Sequence, residues 1–156
     1  MIYQHAFQAE EIPAMTHVSC RSYQSNKSGS YPLHCHAYYE ISFIFQGKRH
    51  EYFDGKDYEV EDSSLFFLSP LAIHGIQNTT DVADLVLQFS PDFLQFISPS
   101  FEKNMILYVA TEDNPFIYVK KDSLLLKTLY QLRDISKRLE METDTNAIIP
   151  MELLQC

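Results

Sequence analysis

The sequence contains no tryptophan, and its 156 residues include only four glycines, seven prolines and three cysteines. Glycine and proline this sparse leave no low-complexity linker between separate units. The length suits one domain with a sizeable core and at most a short appendage. No repeat recurs at solenoid-like periods. Cys20, Cys35 and Cys156 are odd in number and lack knuckle spacing. That excludes a cysteine framework and fits a reducing cytoplasm. No apolar run has the length that spans a bilayer. The opening MIYQHAFQAEEIPAM has no basic start followed by an apolar stretch, so a secretory leader is not expected.

Positive charge is scarce as well. The net charge is −9; up to Tyr118 there are six Lys/Arg against fifteen Asp/Glu, and from Val119 onward six against six. A surface so acidic repels a phosphate backbone, which argues against direct DNA binding by this chain.

What is present is apolar and aromatic: 46% hydrophobic residues and 13% aromatic, all Tyr and Phe. Short alternating segments carry most of it, predicting strands over residues 17–23, 38–45, 48–54, 57–61, 64–68 and 84–89. Residues 1–15 read as an edge strand or a loose arm, and residues 24–30 as a polar loop. Gly47 permits a turn into KRHEYFD as the return strand, Asp54-Gly55 is a two-residue hairpin signal, and Ser69-Pro70 stops a strand. Six to eight short strands with turns every eight to twelve residues predict a mainly β sandwich or small barrel. After Ser90-Pro91 one or two helical turns are expected, with Ser90 as a cap. Residues 105–110 and 116–120 read as short apolar segments closing the sheet.

From Asp122 the period changes. Leu125, Leu129, Leu132 and Leu139, with Ile135 beside them, predict a helix to about residue 140, capped by Asp122 or Ser123. This stripe serves either as cover for the barrel or as a dimer seam. Lys127, Arg133, Lys137 and Arg138 form its solvated face. Residues 143–146 break the pattern, and 147–156 start a second helix that has no ending signal. The expectation is therefore a chain that continues in a longer protein.

The most informative stretch is HCHAYYEISFIFQG, residues 34–47. His34, His36 and Glu40 are separated by even steps, so on one strand they share a face, while Cys35, Ala37, Tyr39 and Ile41 point the other way. Two imidazoles and a carboxylate are three-quarters of a divalent-metal site, and His74 in SPLAIHG is the candidate fourth ligand. Such a set suits Zn, Fe, Mn or Ni. Equally, the four residues could hydrogen-bond to one another or line an organic ligand's pocket. Tyr38 and Ser42 lie on the histidine face, available either for hydrogen bonds to a small polar ligand or for packing. His50 either lines the same cavity or is a half-exposed strand residue.

At these residues the sequence resembles a known family. His34-x-His36, Glu40 and Gly47 match the first cupin motif, and SSLFFLSPLAIH, with Pro70 four residues before His74, resembles the second. Tyrosines before the glutamate, and no glycine two residues after the proline, bring both closer to the effector-binding domains of AraC-type bacterial transcription regulators than to cupin enzymes. The resemblance runs from about Tyr31 to Phe89. It implies a cupin-like double-stranded β-helix (a jelly-roll barrel) over residues 1–120, followed by C-terminal α-helices at 121–156 that serve dimerisation or linkage. It further implies a cytoplasmic homodimer that binds a small polar effector, such as a sugar, through His34, His36, Tyr38, Glu40, Ser42 and His74. DNA would be reached only through a helix-turn-helix domain outside this sequence. Two other readings stay open. One is a metal-dependent cupin enzyme, a dioxygenase or an isomerase, with metal on His34, His36, Glu40 and His74. Ala72 and Ser63, where enzyme motifs carry glycine, count against it. The other is a stand-alone sugar-binding cupin.

Overall fold

The computed structural model describes residues 3–4, 18–93 and 115–143. In chain order these form β1 (Tyr3–Gln4), β2 (Val18–Ser25), β3 (Ser30–Cys35), β4 (Tyr39–Gln46), β5 (Lys48–Phe53), β6 (Lys56–Glu61), β7 (Ser64–Leu68), β8 (His74–Asn78), β9 (Val82–Phe89), β10 (Phe116–Tyr118) and α1 (Leu124–Thr143). The strands make two five-stranded sheets, one ordered β1-β3-β8-β5-β6 and the other β10-β7-β4-β9-β2. The mainly β architecture is as expected. The segments predicted at 105–110 and 147–156, and most of the N-terminal stretch, lie outside the described residues.

Strand alternation gives the second sheet two different faces. On β4 and β9 the odd positions Phe43, Leu85 and Leu87 are buried beneath α1, packing with Cys20, Val119, Leu129 and Leu132. The even positions turn toward the first sheet. Ile44, Phe66 and Val82 meet Val60 of the opposite sheet in an apolar cluster. Ser123 caps α1 through its Oγ, which accepts from the Leu126 amide at 3.1 Å. Ser136 Oγ donates to the Cys20 carbonyl at 3.2 Å, tying the helix to β2. The covering stripe is shifted from the expected one: Leu125 is exposed, and Leu126 packs in its place with Leu129 and Leu132. Arg133, expected on the solvated face, lies 4.6 Å above both the Phe45 and Tyr130 rings. Among the described residues no helix is long and apolar enough to cross a membrane.

The turns explain both successes and misses. Asp54 and Gly55 have φ of 44° and 83°, a primed two-residue turn that pairs β5 with β6 in register from Phe53 and Lys56. Ser90 Oγ accepts from the Phe93 amide at 3.2 Å, starting a helical turn at residues 91–93 as expected. Gly47, however, is no hairpin turn. The chain changes sheets there, and β5 pairs with β6 and β8 rather than returning along β4. Two strands also went unpredicted. β3 carries Pro32 and a register irregularity between Tyr31 and His34, and β8 opens on His-Gly in what reads as a turn.

At Gly47 φ is +105°, and a Cβ would meet the Asp81 carbonyl oxygen at 2.2 Å. Gly47→Ala is therefore expected to cost about 2 kcal/mol or more. Urea denaturation measures it; an unchanged midpoint would show that the sheet crossover relaxes freely.

Candidate functional site

Between the sheets lies a cavity of about 550 Å³ lined mainly by residues with polar or charged side chains. Period-two alternation builds it. Ser19, Arg21, Tyr23 and Ser25 of β2 face inward, as do Glu40 and Ser42 of β4 and Asp84, Val86 and Gln88 of β9. The facing sheet supplies Arg49 and Glu51 from β5 and His74, Ile76 and Asn78 from β8.

Three histidines converge beside this lumen, two of which, His34 and His74, line it. The even-step argument placed His34, His36 and Glu40 on one strand, and the structure corrects it: β3 ends at Cys35 and β4 begins at Tyr39. His34 belongs to one sheet, Glu40 to the other, and His36 sits at the corner between them, where its carbonyl accepts from the Leu71 amide at 2.7 Å. Convergence comes from the corner, not from pleating. His34 pairs directly with His74 across β3 and β8, with ring centroids 4.1 Å apart. The His36 ring lies 4.8 Å from His74. Tyr38 stacks on His36 at 3.8 Å, nearly parallel.

All three imidazoles are oriented the same way. Each Nδ1 donates to a carbonyl two residues off: His34 to Pro32 at 2.9 Å, His36 to Tyr38 at 2.9 Å, His74 to Ala72 at 3.0 Å. In the neutral ring this fixes the tautomer and leaves Nε2 as the acceptor. Burial pushes His74 down to about 4, so it is neutral at physiological pH. Its Nε2 is buried without a hydrogen-bond partner. Glu40 faces His36 Nε2 at 3.4 Å and accepts from Gln88 Nε2 at 3.0 Å. Burial opposes its charge, but the contacts to His36 and Gln88 hold it below the usual carboxylate range. Burial and the Glu40 carboxylate together keep the Tyr38 phenol protonated.

This donor set fits a divalent metal in kind. The ligand atoms of His34, His36 and His74 lie within 4.8 Å of one another. A tetrahedral site with bonds of about 2.0–2.1 Å needs separations of roughly 3.4 Å, so the rings would have to close slightly. Glu40, 3.4 Å from His36 Nε2, is not among the converging ligand atoms.

A second cluster surrounds Arg49, which is 2% exposed. Its guanidinium is shared between Asp84 and Glu51, and its Nη2 donates to Ser42 Oγ at 2.9 Å. Two carboxylates against one guanidinium leave an excess of negative charge in a dry place. Burial accordingly pushes Glu51 up to about 7 against the pull of Arg49, and raises Asp84 as well. Sequence reasoning placed Ser42 in the lumen but missed Arg49, Glu51 and Asp84. The signal lay in the alternation of Leu85, Leu87 and Phe89: if those face the core under the helix, Asp84 and Gln88 face the lumen. His50, weighed as a lining residue, is exposed and lies 4.0 Å from Asp57. Cys35 is half-buried and lies outside the set of convergent ligands, as expected.

Two apposed sheets enclosing a polar, histidine-bearing lumen define a cupin-like barrel built for binding small molecules. Within that class the chain belongs to the family of AraC-like ligand binding domains, whose model matches residues 16–142. No curated protein matches the sequence. Similar solved structures include a predicted oxalate decarboxylase of Thermotoga maritima (26% identity, 44% of this chain, 63% of that chain, TM-score 0.42). The cupin domain of Schizosaccharomyces pombe Cnp3 is another (10%, 55% and 64%, TM-score 0.48). A third is an RmlC-like cupin family protein of Methanocaldococcus jannaschii with a double-stranded β-helix fold (16%, 55% and 82%, TM-score 0.46). The chain spans less than two thirds of the length of the first two. At these TM-scores the likenesses carry no argument about activity.

A folded-state pKa near 7 for Glu51, against an ordinary 4.5, means the folded protein holds this proton more tightly than the unfolded chain. Stability should therefore fall as pH rises from about 4.5 to 7, by at most about 1.4 kcal/mol per pH unit. Glu51→Gln should flatten that slope. Urea midpoints at pH 5 and pH 7.5 test it, and an equal slope in the variant would contradict it.

Proposed function

We propose that this chain is the ligand-sensing and dimerisation domain of an AraC-type transcription regulator. The observation that carries the reading is the lumen: a cavity of about 550 Å³, polar on both walls and held between two sheets, in a member of a ligand-binding family. A small polar effector binds there, contacting His34, His36, Tyr38, Glu40, Ser42 and His74. Residues 1–120 form the sensing barrel, and 121–156 the dimerisation or linker segment. Sensing is then a matter of linkage. An effector that binds one arrangement of barrel and helix more tightly shifts the population toward it, and a separate helix-turn-helix domain reads the shift on DNA. The exposed Leu124, Leu125 and Tyr130 of α1 support a homodimer seam along that helix.

A metal-dependent cupin enzyme is the second reading, favoured by the common tautomer of the three histidines and the orphaned Nε2 of His74. A divalent metal, when bound, would supply Lewis acidity at an open coordination position. Around it, Tyr38 holds the His36 ring by stacking and Gln88 holds the Glu40 carboxylate.

One pair of measurements ranks the two. A thermal-shift screen of small sugars, acids and amines is run on the chelator-treated domain and on Val86→Phe, which fills the lumen without removing a polar partner. The sensor reading expects a compound that raises the melting temperature saturably in the first and not in the second. Stoichiometric zinc retained through dialysis and lost in His74→Ala, with no stabilising compound, would reverse the order.

A further inference from the structure

Resting on the sensor reading, the charge and hydrogen-bond inventory of the lumen narrows the class of effector. The Arg49 cluster lies next to the apolar contact of Ile44 with Val60, Arg49 being paired with Val60 across β5 and β6. Arg49 pairs in register with both Val60 and Asn78, so the Asn78 side chain stands beside the guanidinium on the lumen face. The orientation of its amide is fixed. Nδ2 donates to Ser25 Oγ at 2.7 Å and to the Asn26 carbonyl at 3.0 Å, both acceptors in the turn that leaves β2. Oδ1 is thereby left buried with no donor facing it. Asp84 repeats the situation. One carboxylate oxygen takes Arg49, and Oδ1 is buried without a partner. Asn78 and Asp84 are 5% and 6% exposed, and both line the cavity.

Two dry acceptors thus lie beside a guanidinium, that of Arg49, which already serves two carboxylates; the lumen's other lining arginine, Arg21, projects from β2. We propose that this corner of the lumen receives a protonated amine of the effector, which donates to Asp84 Oδ1 and Asn78 Oδ1 and balances the second carboxylate of the Arg49 cluster. An ammonium has three donors and no acceptor, matching two lone acceptors in a field of negative charge. A hydroxyl brings one donor and no charge. An acid meets Asp84 and Glu51, while Arg49 is already engaged. Arg49 Nε, a buried donor without a partner, adds one requirement. It calls for a lone pair near the amine, so the effector is an amino alcohol or amino ether rather than a plain alkylamine.

Matched probes test this without knowledge of the natural effector. 4-Aminobutan-1-ol, butane-1,4-diol and 4-hydroxybutanoate share a skeleton and differ in charge; glucosamine, glucose and gluconate repeat the series on a larger frame. Isothermal titration of the domain at pH 7 should give at least tenfold tighter binding for the ammonium member of a series than for its neutral partner, and none for the acid. Glu51→Gln, which keeps both acceptors but removes the second carboxylate, should cut that preference at least fivefold. Asp84→Asn should abolish the preference; because it also disturbs Arg49, Glu51→Gln alone decides the matter if Asp84→Asn does not fold. A neutral or acidic member binding as well as the amine overturns the amine assignment and leaves the sensing pocket intact. Equal preference in Glu51→Gln overturns it too. No binding by either series, together with no hit in the thermal-shift screen, overturns the pocket reading itself.

Discussion

Much of this molecule depends on one buried cation. Arg49 projects from β5 in the first sheet and is held by Glu51 of the same strand, yet its other partners, Asp84 and Ser42, belong to the second sheet. The guanidinium thus bolts the two sheets together across a space that apolar side chains fill only in part. Charges so buried must be paired, because an uncompensated one costs several kcal/mol. A sandwich could close more cheaply with leucines there. Keeping an ion cluster instead leaves the lumen polar and open beside it, which is the property a small-molecule site needs.

The lumen has two polar regions with different chemistry. Around His34, His36 and His74 each imidazole is tied through Nδ1 to a carbonyl, backed by Glu40 and the stacked Tyr38. Around Arg49 the groups are charged and crowded, with unpaired oxygens on Asp84 and Asn78. Glu40 and Ser42, two residues apart on β4, connect the regions. A ligand spanning both would be gripped at each end by different forces, giving discrimination by length as well as charge. The outer face of the second sheet makes a separate core with α1, to which Cys20 of β2, Phe43 of β4, and Leu85 and Leu87 of β9 contribute.

The mainly β class, the β5–β6 hairpin, the Ser123 cap and the helix were legible because each rests on local chemistry: alternation, a primed turn, a hydroxyl at a helix start. Histidine convergence was also foreseen, but on the wrong geometry. An even spacing says that residues share a face only while the strand continues, and residues 36–38 turn a corner that periodicity does not reveal. β3 and β8 were missed because Pro32 and Gly75 suppress the strand signal in segments that pairing nonetheless holds. The Arg49 cluster was illegible for a different reason. Arg49, Glu51 and Asp84 are 35 residues apart at the extremes and read individually as solvent-facing charges. Only the apposition of two sheets turns those faces inward.

The measurement that bears most directly on the bolting role of Arg49 is a double-mutant cycle between Arg49→Met and Asp84→Leu. It is best run in a Glu51→Gln background, so that losing the cation strands no carboxylate at position 51. If the pair joins the sheets, each single change should destabilise by about 3–5 kcal/mol in urea, and the double change by less than the sum, with a coupling of about 2 kcal/mol or more. Effects that add to within about 0.5 kcal/mol would mean that the two residues act independently and that the sheets are held by their apolar contacts alone.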